Sequence, residues 1–169
     1  HLPSSLNAVY FTNSGAEAVE GAMKLAKRVT NRTQIIAFNH SYHGSTQGAL
    51  SIIGDEYWRN AFRPLLPDVL HLEYNSFASI NGITAQTACV ITETVQAEAG
   101  ILAPTKEWMQ ALRKKCTETR TLLILDEIQA GFGRTGKLWG FEHFDIVPDV
   151  LLLGKALDGG MHDGAFIAD

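Results

Sequence analysis

Seven short apolar runs recur along the 169-residue chain, and most of them are continuous rather than alternating in polarity. A continuous run of this kind is typical of a strand that is covered on both faces, as in a parallel sheet. The runs occupy residues 9–11, 34–38, 69–72, 88–93, 121–126, 150–154 and 165–168.

Helical patterns lie between several of these runs. Residues 14–29 place apolar side chains at helical spacing, with Ser14 as N-cap and Glu17 three residues later, as in a capping box. Residues 105–118 form a second pattern that begins with a capping threonine, and a shorter helix is expected over residues 45–53. The alternation predicts an α/β domain with a mostly parallel sheet, in which ligands bind beyond the carboxyl ends of the strands.

The composition is that of a globular protein, with 46% hydrophobic and 19% charged residues. A net charge of -4 argues against nucleic acid or an anionic membrane as the main partner. No apolar run approaches the roughly 20 residues that span a bilayer. Cys89 and Cys116 fit two unpaired thiols in a reducing cytoplasm, where we expect the protein to be located. One domain is the simplest organisation.

Residues 131–136, GFGRTG, match the G-x-G-x-x-G pattern of dinucleotide-binding proteins. That pattern requires a helix that begins at the glycines. The segment that follows has no helical stripe and contains Gly140 and Pro148. We therefore interpret the glycines as part of a tight loop that uses positive φ angles.

A second small-residue segment lies at residues 10–18, YFTNSGAEA, and runs from a strand straight into a helix. The free N–H groups and the dipole at such a helix start favour a bound phosphate. An ordinary capped helix is the alternative interpretation of this segment taken alone.

Two charged residues follow apolar strands. Asp126 ends one of them, where a buried carboxylate requires a cation, and Lys155 follows another, where a desolvated amine suits nucleophilic use. Taken singly, Asp126 could cap a turn and Lys155 could extend to water. In a parallel sheet both would emerge at one edge, near the helix start at residue 15. A phosphate cradle, a carboxylate and a lysine together match the needs of pyridoxal 5′-phosphate (PLP).

Five blocks of the sequence, in this order, carry a resemblance to a known family: FTNSGAEAVEGAMKLAK, SYHGST, ETVQAEAGI, LILDEIQAGFGRTGKLWGFEHF and DVLLLGKAL. The chain resembles the class III (ω-amino acid) PLP-dependent aminotransferases, which have the aspartate aminotransferase fold. The resemblance implies that residues 1–169 are the central part of the large, PLP-binding domain, without the N-terminal segment and the C-terminal small domain. It also implies a homodimeric full-length enzyme.

The resemblance implies a role for individual residues. Lys155 would form the Schiff base with PLP and move the substrate proton, Asp126 would hold the pyridine nitrogen protonated, and Gln129 would contact the 3-oxygen of the ring. Ile128 and Tyr42 would pack on the two ring faces. The other cofactor-binding residues that it implies are Ser14, Gly15, Ala16, His43 and Glu93.

Glu98 resembles a substrate-side glutamate that pairs with a mobile arginine. The family usually has glycine at the positions of Ala97 and Ala99, so this loop is expected to be narrower or stiffer. After the lysine, the family usually has a glycine run followed by proline. Here three polar residues intrude in this segment, and two of them would place negative charge near a bound phosphate unless they point away. These three residues are Asp158, His162 and Asp163. No metal site is expected at His40 and His43, because no carboxylate or cysteine cluster accompanies them.

The predicted reaction is transfer of an amino group from an amino acid or ω-amine to a 2-oxo acid. PLP-dependent aminomutase or decarboxylase chemistry on the same fold is one alternative. A catalytically dead binding or assembly module is another. We expect the 169-residue chain to be inactive, or nearly so, on its own.

Overall fold

The computed structural model describes residues 1–157 and 159–169. Seven strands are formed by these residues. They are β1 (Ala8–Thr12), β2 (Gln34–Phe38), β3 (Val69–Leu72), β4 (Thr87–Glu93), β5 (Leu122–Asp126), β6 (Val150–Leu153) and β7 (Gly164–Ala168). Each strand matches a predicted apolar run to within one residue at either end.

Four α-helices and four 3-10 helices lie between the strands in the described part of the chain. The α-helices are α1 (Gly15–Thr30), α2 (Gln47–Ser51), α3 (Glu56–Arg59) and α4 (Lys106–Thr119). The 3-10 helices are Asn60–Phe62, Ser79–Gly82, Gly140–His143 and Lys155–Leu157. The predicted helices over 14–29 and 105–118 are confirmed, whereas the helix predicted over 45–53 is only five residues long.

The strands form one sheet in the order β1–β7–β6–β5–β4–β2–β3. Strands β3, β2, β4, β5 and β6 are parallel neighbours, and β7 is antiparallel to both β6 and β1. The prediction of a mostly parallel α/β sheet is therefore confirmed. No helix among the described residues is long and apolar enough to cross a membrane.

The two faces of the sheet carry separate apolar clusters. One cluster includes Trp108 and Leu112 of α4, and the other includes Val19 and Met23 of α1. Successive residues of the central strands alternate between the two clusters, as the pleat requires. All seven residues of β4 are buried, which explains why its sequence reads as a continuous apolar run.

Strand β1 departs from the prediction that the apolar runs are covered on both faces. Val9, Tyr10 and Phe11 are 48%, 64% and 70% exposed. The reason is position, because β1 is an edge strand of the sheet and pairs with β7 alone among the described strands. Tyr10 stacks on Phe166 of β7, with 5.0 Å between the ring centroids.

The start of α1 has the predicted cap in a modified form. The Ser14 hydroxyl accepts a hydrogen bond from the Glu17 amide at 3.2 Å. The Glu17 carboxylate reaches back to the amide of Asn13 at 2.8 Å, one residue before the cap, and not to Ser14 itself. The capping pair thus fixes the direction from which β1 enters the helix.

The GFGRTG segment is a loop of turns and does not open a helix. Gly133 and Gly136 have φ angles of 88° and 93°, and the Gly133 amide donates to the Leu138 carbonyl at 3.2 Å. Our interpretation of a tight loop is confirmed. Gly131 serves close approach instead, because a Cβ atom there would lie 2.8 Å from the Glu127 carbonyl oxygen.

Glu127 anchors this loop region to the end of β5, a role that the sequence analysis missed. Its carboxyl group is fully buried and accepts hydrogen bonds from the amides of Gly140 and Phe141, both at 2.7 Å. Burial raises the pKa of Glu127 to about 7, although the two amides partly oppose this rise.

We predict that Glu127→Ala destabilises the chain by about 3 kcal/mol, because two buried amides lose their acceptor. Urea unfolding measures the change. Glu118→Ala on the exposed face of α4 is the control and should have little effect. Equal stabilities of the two variants would contradict the anchoring role of Glu127.

Candidate active site

Asp126 ends β5 and is 4% exposed. Its Oδ2 atom lies 2.7 Å from Nδ1 of His43, which is also buried, and its Oδ1 atom accepts from the Ile128 amide at 3.1 Å. Burial alone would lower the pKa of His43, but the hydrogen bond and the negative charge of Asp126 raise it above the ordinary value. Asp126 is therefore paired in the structure with the His43 ring, and its pairing with the pyridine nitrogen of PLP stays a prediction.

The pairing of Asp126 with His43 was not predicted from the sequence. His43 and Asp126 are 83 residues apart in the chain, and no spacing rule connects them. The available signal was the family block SYHGST alone, which marks His43 as part of the site without giving its partner.

Glu93 ends β4 directly beside Asp126, since the two residues are register partners in the parallel ladder. Its Oε1 atom accepts from the Tyr42 amide at 3.0 Å. Its Oε2 atom is buried and has no hydrogen-bond partner in the described chain. Burial raises the pKa of Glu93 to about 7, with His43 partly lowering it and Asp126 raising it further.

Lys155 follows β6 and begins the 3-10 helix Lys155–Leu157, with a φ angle of 46°. Its amine donates to the Gln129 side-chain oxygen. The prediction that Lys155 and Asp126 share one edge of the sheet is confirmed, because both line the same cavity. The prediction of a desolvated lysine is wrong for this structure: Lys155 is exposed, because it lies beyond the strand end and not within the covered sheet.

The cavity at this edge brings together most of the predicted site residues. Its lining includes Tyr42, His43, Glu93, Glu98, Asp126, Ile128, Gln129 and Lys155. Tyr42 is 39% exposed, and Glu98 is exposed on the loop that follows β4.

The remaining predicted residues lie at the start of α1. The amides of Gly15 and Ala16 have no acceptor among the described residues, as expected for the first turn of a helix. A second cavity, lined by Ser14 and Gly15, also contacts Ile128 and Lys155, which line the first cavity as well. The helix start and the carboxylate edge therefore belong to one continuous site.

Gly15 is required at this point by close packing. A Cβ atom on Gly15 would lie 2.8 Å from Cδ1 of Ile128. Gly154 lies against the same side chain, where its Cβ would be 3.3 Å from Cγ2 of Ile128. The two glycines let Ile128 lie between the helix start and the end of β6.

The polar residues after Lys155 approach the second cavity, at the start of α1. His162 and Asp163 line it together with the start of α1. Asp163 thus lies on the side where a phosphate was predicted. Asp158 lies outside the described residues.

The loop after β4 accommodates the two alanines that depart from the family pattern. Neither Ala97 nor Ala99 has a positive φ angle, so a methyl group at these positions meets no backbone strain. The loop is closed by two backbone hydrogen bonds between Gln96 and Leu102, at 2.9 and 3.0 Å.

The loop that carries Tyr42 and His43 is held against α1. Gly44 has a φ of 116°, and a Cβ atom there would lie 2.7 Å from Cβ of Ala16.

Within residues 1–157 and 159–169, no group of three or more His, Cys, Asp or Glu side chains is arranged to hold a metal ion.

Glu20 of α1 fixes the far end of the loop that carries Tyr42 and His43. This role was not predicted from the sequence. One carboxylate oxygen accepts from the Thr46 hydroxyl at 2.7 Å and from the amides of Gly48 and Ala49 at 2.8 and 3.1 Å. It therefore caps α2 from outside the segment, which the local sequence does not disclose.

The family model for class-III aminotransferases matches residues 1–169. The chain belongs to the class-III aminotransferases. It is 44% identical, over 94% of its length, to the LysW-aminoadipate semialdehyde/glutamate semialdehyde transaminase of Sulfurisphaera tokodaii. It is 46% identical, over 98% of its length, to the acetylornithine aminotransferase of Methanopyrus kandleri.

Two solved structures share the fold of this class-III chain. The ornithine aminotransferase of Toxoplasma gondii, in which PLP partially occupies the active site, superposes with a TM-score of 0.91 at 30% identity over 96% of the chain. A transaminase from the marine bacterium Virgibacillus gives a TM-score of 0.92 at 28% identity over 99% of the chain. The chain spans 41% to 43% of the two curated relatives and 41% to 42% of the two structures.

We predict that Glu20→Ala loosens the Tyr42 loop, because the start of α2 loses its acceptor. Amide hydrogen exchange at Gly48 and Ala49 should become about fivefold to tenfold faster, in keeping with the loss of one helix cap. Glu107→Ala, an exposed change in the first turn of α4, should leave these two amides unchanged. Unaltered exchange in the Glu20 variant would contradict the prediction.

Proposed function

We propose that this chain belongs to an enzyme that transfers an amino group from an amino acid or ω-amine to a 2-oxo acid. Class-III aminotransferases use PLP. One observation carries the proposal: a buried carboxylate, a lysine amine and the open start of a helix meet in one continuous site. They belong to Asp126, Lys155 and the Gly15–Ala16 pair.

The residues present fit PLP. The two unpartnered amides at the start of α1 suit its phosphate, and the glycine at position 15 allows close backbone approach. Asp126 has lone pairs beyond those used by His43 and Ile128, and it lines the cavity, so it suits a protonated pyridine nitrogen. When bound, PLP supplies an electron sink for the negative charge that develops at the substrate carbon.

The side chains around the cavity then have distinct tasks. Ile128 and Tyr42 would hold the ring between them, and Gln129 would donate to the oxygen beside the aldehyde. Lys155 brings the one amine among the described lining residues, so it is the group that would anchor the cofactor and carry the substrate proton. The Gln129 side-chain oxygen accepts a hydrogen bond from this amine and so helps to orient it.

The relatives support transamination over the aminomutase and decarboxylase alternatives, because both carry transaminase names. Their substrates, as named, are acetylornithine and semialdehydes, which supports an ω-amino donor. Glu98 lies on the cavity wall where it could meet such a substrate. We further propose that the full-length protein is a cytoplasmic homodimer and that this chain is the central part of its PLP-binding domain.

We predict that the purified chain binds PLP covalently through Lys155. Reduction with borohydride followed by peptide mass mapping should place the label on Lys155, and Lys155→Ala should abolish it. Lys114→Ala, whose side chain is 78% exposed on α4, is the matched lysine control and should be labelled like the parent chain.

The same experiment separates the proposal from the catalytically dead module. A folded chain that takes up no label, or that is labelled equally in the Lys155 variant, would contradict an intact PLP site in these 169 residues. A labelled chain without amino-transfer activity would agree with our expectation that the isolated chain is inactive.

A further inference from the structure

Three titratable side chains form a buried group in the wall of the cavity, which we call the Glu93–His43–Asp126 group. Glu93 and Asp126 end adjacent parallel strands in register, and His43 comes from the loop after β2. Glu93, His43 and Asp126 are 8%, 2% and 4% exposed. Two acids and one base are therefore enclosed together with little access to solvent.

Each end of this group has an unpaired polar atom. Nε2 of His43 and Oε2 of Glu93 are both buried and lack a hydrogen-bond partner in the described chain. Buried polar atoms are nearly always paired, because an unpaired one carries a desolvation penalty. Nε2 of a protonated His43 is a donor, whereas Oε2 of Glu93 is an acceptor when ionised and can donate when it carries a proton.

The charges of the group also demand a second proton. If Asp126 and Glu93 were both ionised beside a protonated His43, the buried group would have a net charge of minus one. Buried unbalanced charge is strongly unfavourable. A proton retained on Glu93 makes the group neutral while Asp126 remains a carboxylate.

We propose that Glu93 is a positioning residue that holds one proton behind Asp126 in the ligand-free chain and releases it when Asp126 accepts a hydrogen bond from a cationic ring nitrogen. The positive charge of the ring nitrogen then balances the negative charge of ionised Glu93, as the proton did before. The proton goes to solvent, and no bond other than the O–H bond of Glu93 breaks. This inference rests on the proposed PLP site and extends it to a proton-linked binding step.

The groups that face Glu93 support this assignment. His43, from the loop after β2, lowers the pKa of Glu93, whereas Asp126 on β5 and Glu98 on the following loop raise it, and burial has the largest effect. Tyr74, which follows β3, donates its hydroxyl to the Glu93 carbonyl oxygen at 3.2 Å, and its own pKa is raised by burial and by Glu93.

The sign of the effect on stability follows from these directions. The pKa of Glu93 is about 7 in the folded chain against 4.5 for an ordinary glutamate, so the folded state binds this proton more tightly. The Glu93 contribution to stability is therefore present below pH 4.5 and is lost as the pH rises towards 7. Glu93→Gln should remove this pH-dependent loss, as urea unfolding across this pH range would show.

The first test needs no cofactor. An NMR titration of the His43 ring, assigned with His43→Gln, is compared between the parent chain, Glu93→Gln and Glu107→Gln. Above pH 7 Glu93 is ionised in the parent chain and its charge helps to hold the His43 proton, whereas the side chain at this position stays neutral in Glu93→Gln. Proton binding at His43 should therefore be about threefold to tenfold weaker in Glu93→Gln, which is half to one pKa unit. The control Glu107→Gln, at an exposed position in the first turn of α4, should cause little change. An unchanged His43 titration in the Glu93 variant would overturn the proposal.

The second test measures the proton directly. Calorimetric PLP binding in two buffers of different ionisation enthalpy, at a pH just below 7, counts the protons released. The parent chain should release up to about one proton more than Glu93→Gln, and Glu93→Asp should restore part of the difference. Inorganic phosphate, which has no ring nitrogen, should show no difference between these variants.

The outcomes distinguish the two proposals. Equal proton release by the parent chain and Glu93→Gln, with PLP bound to both, would overturn the role of Glu93 and leave the PLP site intact. Absence of PLP binding to the folded parent chain would overturn the proposed site and the linked release together. The His43 titration would still decide whether Glu93 and His43 are coupled.

Discussion

The contact between His43 and Asp126 is the interaction on which the site depends. A buried carboxylate at the end of β5 is strongly unfavourable unless it is paired and hydrogen-bonded, and its ring partner comes from 83 residues away in the chain. The loop that carries His43 must therefore dock against both β5 and the start of α1. The left-handed conformation of Gly44 and the capping of α2 by Glu20 make this docking possible. The electrostatic requirement of one residue thus fixes a whole loop.

The sheet topology gathers the other groups at the same edge. Strands β4, β5 and β6 are parallel, so Glu93, Asp126 and Lys155 emerge together. Strand β1 lies at the edge of the sheet, but β7 is antiparallel to both of its neighbours, so β1 runs in the same direction as the central strands. Its carboxyl end therefore delivers the start of α1 to this edge. A single reversed strand is what allows a helix terminus to join the carboxylates.

Much of the fold could be predicted from the sequence because its determinants are local. The apolar runs marked the strands, and Ser14 with Glu17 marked the start of α1. The exposure of β1 could not be predicted, since it depends on strand order and not on the run itself. The hydrogen-bond partners of His43 and Glu127 could not be predicted either, because each of these two residues joins segments that are separated in the chain by loops. The exposure of Lys155 depends similarly on what lies around the strand end.

The charge distribution of the assembled edge is polarised. The helix start and the lysine amine favour a negative group at one end, whereas Asp126 and Glu93 favour a positive group at the other. A ligand with an anionic phosphate and a cationic ring matches both ends at once, with Ile128 between them as an apolar surface. The GFGRTG loop presents no helix start that could bind the phosphates of a dinucleotide. Asp163 lies at the end of the site that favours an anion, so its negative charge opposes a bound phosphate. A phosphate ligand is therefore favoured only where its attraction to the Lys155 amine outweighs this repulsion.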